Sequence, residues 1–239
     1  MEDIRFILKL SGETFKRNAE PLSAEQITVF GDEISGLLNS NPHVKLGIVI
    51  GGGNIFRGAT GEKAGFGRSN GDDIGMLGTV LNSIALKDIL GQFGIKTEVY
   101  TPFVVGSMTE LFSVRAVNEF FVNADGRVAI FGGGLGQPYF STDTVSVIRA
   151  LQIGAEMVFK ATKVDGVYDK DPVKHSDAVR YSTLTFDEAL EKELKVMDQA
   201  AFSLSRDNNM KIVVFDSTKK DGIRNILKNW KESGTLISR

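Results

Sequence analysis

The chain has 239 residues, 42% of them hydrophobic, so it is long enough to bury a core in one large domain or two small ones. Its 28 Lys and Arg residues against 30 Asp and Glu give a net charge of −2 without blocks of like charge, which argues against a nucleic-acid partner. The absence of cysteine excludes disulfides, thiolate metal sites and a cysteine nucleophile, and it suits a reducing, cytoplasmic location.

The apolar run near the start of the chain, "IRFILKL", is too short for a signal peptide or a membrane span. We therefore expect a soluble, unprocessed protein without a membrane partner.

Short apolar runs rich in β-branched residues alternate with segments of helical spacing. The runs predict strands at 4–10, 44–51, 96–102, 127–133, 156–162 and 211–217. The helical segments are 23–39, 73–93, 110–121, 142–153 and 196–207. This alternation predicts an α/β fold with a mainly parallel sheet covered on both faces and ligands at its carboxyl edge.

Two features qualify this pattern. Asp165-Gly166 lies between "ATKV" and "VYDK" and is a two-residue hairpin signal, which predicts an antiparallel excursion there. If the domain has two lobes, we place their boundary near residue 155, which gives an N-terminal lobe of about 1–155 and a C-terminal lobe of about 156–239.

The first stretch that could carry chemistry is "KLSG", at the end of the first strand. A lysine in an apolar strand is costly unless its ammonium emerges at the strand end toward an anion. Lys9 fits that description, with the backbone N–H groups of Ser11 and Gly12 beside it. An ordinary edge-strand lysine explains this piece equally well.

The second stretch is "GGGNIFRG". Gly51, Gly52 and Gly53 could take positive φ and form an anion nest, with Arg57 supplying a bidentate fork. Neither common nucleotide fingerprint fits, because G-x-G-x-x-G and G-x-x-x-x-G-K-[ST] are both missing. A simple tight turn remains the alternative.

Two further stretches follow later strands. In residues 132–144, Ser141, Thr142 and Asp143 form the first turn of a predicted helix, which could bind phosphate or be a plain helix cap. In residues 160–172, Tyr168 could flank a base and Asp171 lies in a turn, although this stretch alone is only a hairpin.

Together the four stretches predict two anion sites that face each other across one crevice. Transfer of phosphate between two bound groups fits such a crevice. Lysine, arginine, backbone N–H groups and Mg²⁺ suffice for that reaction without a covalent nucleophile.

Six motifs, "ILKLSGE", "VIGGGNIFRG", "GDDIGMLGTVLNSIAL", "GQPYFSTDT", "KATKVDGVYDKDP" and "ELKVMDQAAFSLSRDN", occur in an order and spacing that resemble those of the bacterial uridylate (UMP) kinases of the amino acid kinase superfamily. The resemblance runs from about residue 4 to residue 238. It implies a three-layer α/β/α sandwich and the reaction of ATP with UMP to give ADP and UDP, with Mg²⁺.

The resemblance also implies residue roles. Lys9, Asp143 and Asp198 would be catalytic, with Mg²⁺ held mainly by the ATP phosphates near Asp143. The ATP-binding set would be Lys9, Leu10, Ser11, Gly12, Gly53, Arg57, Thr162, Tyr168 and Asp171. The UMP-binding set would be Gly52, Asp72, Leu135, Gly136, Gln137, Pro138, Tyr139, Phe140, Ser141 and Thr142.

The resemblance further implies a homohexamer, built from dimers that pack the helix near residues 73–93, and feedback inhibition by UTP. Two departures limit it. Leu135 stands where a small hydroxyl residue is expected, and Lys87, Gly91 and Glu98 make the expected GTP effector site less basic, so we do not expect activation by GTP. Another small-molecule kinase of the superfamily and a non-catalytic binding protein are the alternatives.

Overall fold

The structure is a computed structural model and describes residues 3–57, 65–123, 126–194 and 196–239. The strands in this part of the chain are β1 (Ile4–Leu10), β2 (Val44–Ile50), β3 (Thr97–Thr101), β4 (Glu110–Leu111), β5 (Val128–Phe131), β6 (Met157–Thr162), β7 (Thr183–Thr185), β8 (Lys211–Asp216) and β9 (Gly234–Ser238). The helices are α1 (Ala24–Ser40), α2 (Arg68–Gln92), α3 (Val114–Val122), α4 (Thr142–Ile153), α5 (Phe186–Glu191), α6 (Gln199–Asp207) and α7 (Ile226–Ser233), with a 3-10 turn at Gly12–Phe15.

The strands form one nine-stranded sheet in the order β4-β3-β5-β2-β1-β6-β8-β9-β7. All pairings are parallel except that of β8 with β9. The six predicted strands are all present, and the mainly parallel sheet is confirmed. The strands that were not predicted, β4, β7 and β9, lie at or near the two edges of the sheet.

Alternation of side chains along the strands builds two cores. Leu8 of β1 faces a core shared with α1, α2 and α7, whereas Ile7 faces a core shared with α3, α4, α5 and α6. Because successive strand residues point to opposite faces, Lys9 lies on the same side as Ile7, toward α4. Helices therefore cover both faces, which confirms the three-layer sandwich.

Three predicted helices differ from the observed ones by three or more residues at their first residue. The segment predicted at 110–121 begins with strand β4, and its helix starts only at Val114, where the Ser113 hydroxyl accepts a hydrogen bond from Ala116 N. The helix predicted at 196–207 starts at Gln199 behind an Asp198 cap, and α2 starts at Arg68, five residues before the predicted position.

The predicted hairpin at Asp165-Gly166 is wrong. Strand β6 ends at Thr162, and the antiparallel contact in this region is an isolated bridge between Tyr168 and Arg180. Gly166 instead has φ 149° at a point where a Cβ would lie 2.4 Å from Thr235 Oγ1, so glycine is needed for close approach. The division into two lobes stays a prediction, since β1 pairs with both β2 and β6 in one continuous sheet.

Among the described residues, one helix, α2, is long enough and apolar enough to cross a membrane, judged by length and composition alone. Its most apolar window is 44% buried inside the protein, against α1 and the sheet. Because core helices of soluble proteins pass the same test, this is weak evidence for a membrane span.

Candidate active site

The four predicted loops meet at one edge of the sheet. Strands β5, β2, β1 and β6 are neighbours and parallel, so their carboxyl ends lie side by side. The loops after β1 and β2 touch directly, since Gly51 N donates to Leu10 O at 3.0 Å. A Cβ on Gly12 would lie 2.2 Å from Gly51 O, so only glycine allows this approach. The Leu10 side chain is buried in the core, which leaves only its backbone for a ligand.

Two lysines converge on Asp143 at the centre of this edge. Lys9 and Lys160 are register partners on β1 and β6, so both side chains point toward α4. Lys9 Nζ lies 2.9 Å from Asp143 Oδ1, and Lys160 Nζ lies 2.5 Å from Asp143 Oδ2. The three side chains are only 13%, 12% and 15% exposed, so their charges interact with little screening by water.

Burial and charge act on Asp143 in opposite directions. Burial alone would raise the pKa of its carboxyl, but the ammonium groups of Lys9 and Lys160 outweigh burial and hold that pKa below its ordinary value. Burial lowers the pKa of Lys160, which Asp143 partly offsets. Asp143 is therefore an ionised carboxylate at neutral pH, suited to orienting cations and unsuited to accepting a proton.

Asp143 Oδ1 retains a capacity for a further ligand. Lys9 Nζ, in an ion pair at 2.9 Å, is the partner of this buried oxygen, and no second donor to it occurs within the described residues. A hard divalent cation binds such an oxygen readily. No cluster of three or more acidic or histidine side chains that could hold a metal occurs in residues 3–57, 65–123, 126–194 and 196–239.

Asp198 joins two helices. Its Oδ1 accepts from Ala201 N at 2.9 Å, which caps α6, and from Thr144 Oγ1 at 2.8 Å. Its Oδ2 accepts a hydrogen bond from the Ser141 hydroxyl at the start of α4. Both carboxylate oxygens are therefore engaged by the protein itself, and this geometry links α4 to α6. The catalytic role that the resemblance implies for Asp198 stays a prediction.

The glycine loop after β2 does not have the predicted conformation. Gly51, Gly52 and Gly53 are not among the glycines with positive φ, so the predicted left-handed nest is wrong. Space is the reason for at least one of these glycines, because a Cβ on Gly52 would lie 2.5 Å from Gly75 O in α2. Arg57, 59% exposed, points both Nε and Nη2 at Glu13 Oε1, at 3.2 and 2.9 Å.

Asp72 lies in the second turn of α2 and reaches across to the loop before α4. Its Oδ2 accepts from Tyr139 N at 2.9 Å and from Arg68 Nε at 3.0 Å. Ser69 Oγ lies 3.3 Å from Tyr139 Oη, and the Arg68 guanidinium lies over the same ring. These contacts hold Tyr139 at φ 71°, which is unusual for a residue other than glycine.

The loop between β5 and α4 contains the other residues predicted for UMP. Leu135 packs against the second core, whereas Gln137, Tyr139 and Phe140 are exposed. Ser141 is the helix cap, because its hydroxyl accepts from Asp143 N and Thr144 N at 3.0 and 3.2 Å. The cap is therefore a serine, and Asp143 is free to face the lysines. The predicted stretch also includes Gly136, Pro138 and Thr142, and Thr142 is the first residue of α4.

A cavity of about 460 Å³ opens beside the end of β6 and contains the residues predicted for adenosine, Thr162, Tyr168 and Asp171. Each makes a local hydrogen bond. Thr162 Oγ1 donates to Val164 O at 2.6 Å, Tyr168 Oη donates to Asp165 Oδ1 at 2.6 Å, and Asp171 Oδ1 accepts from Val173 N at 3.0 Å. The last bond is the main reason that the pKa of Asp171 is lowered.

Sequence reasoning missed Lys160 and the far wall of this cavity. Lys160, within "EMVFKAT", is a lysine in an apolar strand just as Lys9 is, so a signal was present. Lys160 also donates to Val196 O at 2.5 Å, which ties β6 to that wall. The wall is formed by Lys192, Glu193, Leu194 and Val196. The last three lie in the motif "ELKVMDQAAFSLSRDN", in which only Asp198 is given a predicted role.

Residues 5–216 match the amino acid kinase family. The uridylate kinase of Alcanivorax borkumensis is 43% identical over 234 residues, which cover 98% of this chain and 91% of that protein. The chain belongs to the uridylate kinase family.

Solved structures of UMP kinases have the same architecture as this uridylate kinase family member. The UMP kinase of Ureaplasma parvum aligns over 100% of both chains with a TM-score of 0.93 and 31% identity. That of Bacillus anthracis covers 100% of this chain and 97% of its own, with a TM-score of 0.89 and 33% identity. The predicted family and fold class are thereby confirmed, and the family identifies the chain as a nucleoside monophosphate kinase.

Proposed function

We propose that the protein transfers the γ-phosphoryl group of ATP to UMP, giving ADP and UDP for pyrimidine nucleotide biosynthesis, with Mg²⁺. The observation that carries this proposal is the convergence of Lys9 and Lys160 on Asp143 between the loops after β1, β2, β5 and β6. Two fixed ammonium groups at one point are suited to negative charge that develops on a transferring phosphoryl group.

The donor ATP is assigned to the side of β6. The cavity lined by Thr162, Tyr168 and Asp171 would hold adenosine, with the Tyr168 ring available to the base. The phosphates would then run toward Lys9, Ser11 and Gly12 at the end of β1. Gly53 and Arg57 would complete the phosphate site, with Arg57 exchanging Glu13 for phosphate oxygens.

The acceptor UMP is assigned to the crevice between α2 and the loop before α4. Gly52 and Asp72 would contact UMP from one side, and residues 135–142 from the other. Asp72 now accepts from Tyr139 N and Arg68 Nε, which are contacts that a ribose hydroxyl can replace. Leu135 offers only its backbone for hydrogen bonding.

In the chemical step an oxygen of the UMP phosphate bonds to the γ-phosphorus as the bond from that phosphorus to the β,γ-bridging oxygen breaks. The electron pair of the broken bond leaves on ADP. The attacking phosphate is already anionic, so no general base is needed, in keeping with the ionised state of Asp143. Lys9 and Lys160 neutralise charge on the moving group, and Asp143 holds both lysines in place.

Mg²⁺ would neutralise phosphate charge when it is bound with ATP. The residues present fit it, because Asp143 Oδ1 is buried and has, among the described residues, no partner besides Lys9. Mg²⁺ commonly takes one or two carboxylates together with substrate phosphates and water. Asp143 is therefore the protein ligand we assign, with the ATP phosphates as the main ones.

We also propose a cytoplasmic homohexamer that UTP inhibits by feedback. Leu77 and Leu81 on the outer face of α2 are 52% and 50% exposed, which supports packing of this helix in a dimer. Lys87 is paired with Glu98 at 2.5 Å, which supports the expectation that GTP does not activate through these residues. Light scattering of the purified protein tests the assembly.

A coupled assay of ADP release, with UMP, CMP, carbamate and N-acetylglutamate as acceptors, tests the proposed activity. We expect turnover with UMP that depends on added Mg²⁺. Preference for carbamate or N-acetylglutamate would assign the protein to another kinase of the superfamily. Binding of nucleotides without turnover of any acceptor would leave it a binding protein.

A further inference from the structure

Arg149 of α4 is a buried cation outside the group of charges at Asp143. It is 4% exposed, and within the described residues it makes no ion pair with a carboxylate. A buried charge without an opposite charge is costly, so its place needs an explanation. Burial lowers the pKa of Arg149 to about 10, which keeps the guanidinium protonated at neutral pH.

The guanidinium is held in a fixed orientation. Its carbon lies 3.6 Å from the centroid of the Phe112 ring and 5.7 Å from that of Phe131. Nη1 donates to Gln152 Oε1 at 2.8 Å, and Nη2 donates to Gly134 O at 3.3 Å. The planar group, stacked on Phe112, therefore points one donor at the backbone of the loop between β5 and α4.

That loop segment needs such support. Gly133, Gly134 and Gly136 have φ of 73°, 59° and 72°, a run of left-handed conformations that glycine adopts without strain. The same freedom gives glycine many other conformations, so the loop keeps its shape only where something fixes it. Two side chains do so from behind, since Thr79 Oγ1 accepts from Gly133 N at 2.7 Å and Arg149 donates to the next carbonyl.

We propose that Arg149 is a positioning residue for the acceptor nucleotide, fixing the carbonyl of Gly134 and so the loop that receives UMP without touching the ligand. The inference rests on the proposed binding of UMP by residues 135–142. Arg149 should therefore affect the binding of UMP and not the binding of ATP, because its contacts lie on the β5 side of the site.

The test compares Arg149→Met and Arg149→Lys with a matched control, Arg127→Met. Arg127 also donates to backbone carbonyls, those of Leu38, Asn41 and Val44 at 3.1, 3.2 and 3.3 Å, but at the amino edge of the sheet. For Arg149→Met we expect the KM for UMP to rise about tenfold, as for loss of one charge-assisted hydrogen bond, and the KM for ATP to stay within about twofold.

Arg149→Lys keeps the charge but loses the planar stack and fork, so we expect a smaller rise in the KM for UMP. We expect Arg127→Met to lower the melting temperature and to leave both KM values unchanged. Calorimetric titration of UMP into the protein without ATP measures the same difference as a binding constant.

A wild-type KM for UMP in the folded Arg149→Met variant, or equal rises in the KM values for UMP and ATP, would overturn the inference. If Arg149→Met does not fold, the inference is tested with Arg149→Lys and with Phe112→Leu, which removes the ring beneath the guanidinium. A raised KM for UMP alone supports the inference in either variant, and unchanged values refute it. A wild-type protein that does not phosphorylate UMP would refute the proposed function instead.

Discussion

The two sides of the crevice are built in different ways. In the adenosine cavity on the donor side, three polar side chains bond near neighbours in sequence: Thr162 with Val164, Tyr168 with Asp165, and Asp171 with Val173. Thr162 additionally donates to Phe215 O at 3.2 Å. On the acceptor side the contacts span the chain. Tyr139 N is held by Asp72, 67 residues away, and Ser141 by Asp198, 57 residues away.

This difference bears on which substitutions should affect each substrate. A site built from local turns keeps its shape as long as its own loop folds. A site built from contacts between α2, α4 and a glycine-rich loop depends on residues that never touch the ligand. We therefore expect UMP binding to be sensitive to distant changes and ATP binding to be sensitive mainly to local ones.

Lys9→Ala tests the boundary between the two sides and should have the largest effect. Loss of a fixed charge that acts on the transition state typically lowers turnover by about 10² to 10³. We expect kcat to fall by that order while the calorimetric affinity for UMP changes little, with the fold intact. Lys96→Met, an exposed lysine before β3, is the control. Wild-type turnover in Lys9→Ala would contradict the assignment of this lysine.

Asp143→Asn should also reduce turnover, because two lysines lose the carboxylate that orients them. The same variant allows the pH dependence of stability to be tested. The pKa of Asp143 is lowered in the folded state, so its ionised form stabilises the fold above about pH 4, the ordinary value, and this stabilisation is lost as pH falls through the folded pKa.

The free energy of unfolding of Asp143→Asn should therefore lie below that of the wild type at neutral pH, and the gap should narrow in acid. Urea unfolding at a series of pH values measures it. The exposed Asp73→Asn serves as control. A gap that is constant across the series would mean that the carboxylate is not stabilised by the lysines.

Asp72→Asn separates the two sides. The carboxylate accepts from Tyr139 N and Arg68 Nε, and it faces the proposed UMP crevice, so an amide should weaken UMP binding. We expect about a tenfold rise in the KM for UMP, as for one lost charge-assisted hydrogen bond, with the KM for ATP unchanged. Asp73→Asn is again the matched control, and a rise in the KM for ATP of the same size would erase the distinction between the sides.

The central part of the fold follows from local pattern. Apolar β-branched runs predict the six contiguous strands from β3 to β8 in the sheet order, because a parallel sheet buried on both faces requires them. The strands at or near the edges escaped prediction for physical reasons. Strand β4 has two residues, and β9 pairs antiparallel with β8 only because the chain returns after α7. Such pairing is set by tertiary contacts that local sequence does not encode.

The candidate site divides in the same way. Lys9 could be found because a charge in an apolar strand is costly wherever the strand lies. Arg149 could not, since a single polar residue in a predicted helix is normally solvent-exposed, whereas here Phe112 and Phe131 from outside the helix cover it. The reason predicted for the glycine loop is wrong, because Gly51, Gly52 and Gly53 do not have positive φ, and Gly52 is required instead by crowding from α2.

Arg57→Ala is the complementary change on the donor side and should have the smallest effect. Its guanidinium is 59% exposed and paired with Glu13. Arg57 must leave Glu13 to bind ATP, and it would do so in a solvent-exposed position where an ion pair contributes little. We expect a several-fold loss of ATP affinity by calorimetry, with UMP affinity unchanged. Arg115→Ala is the control, since that residue pairs with Glu119 on exposed α3. Equal weakening of UMP and ATP would place Arg57 between the two substrates and would move the proposed boundary toward β2.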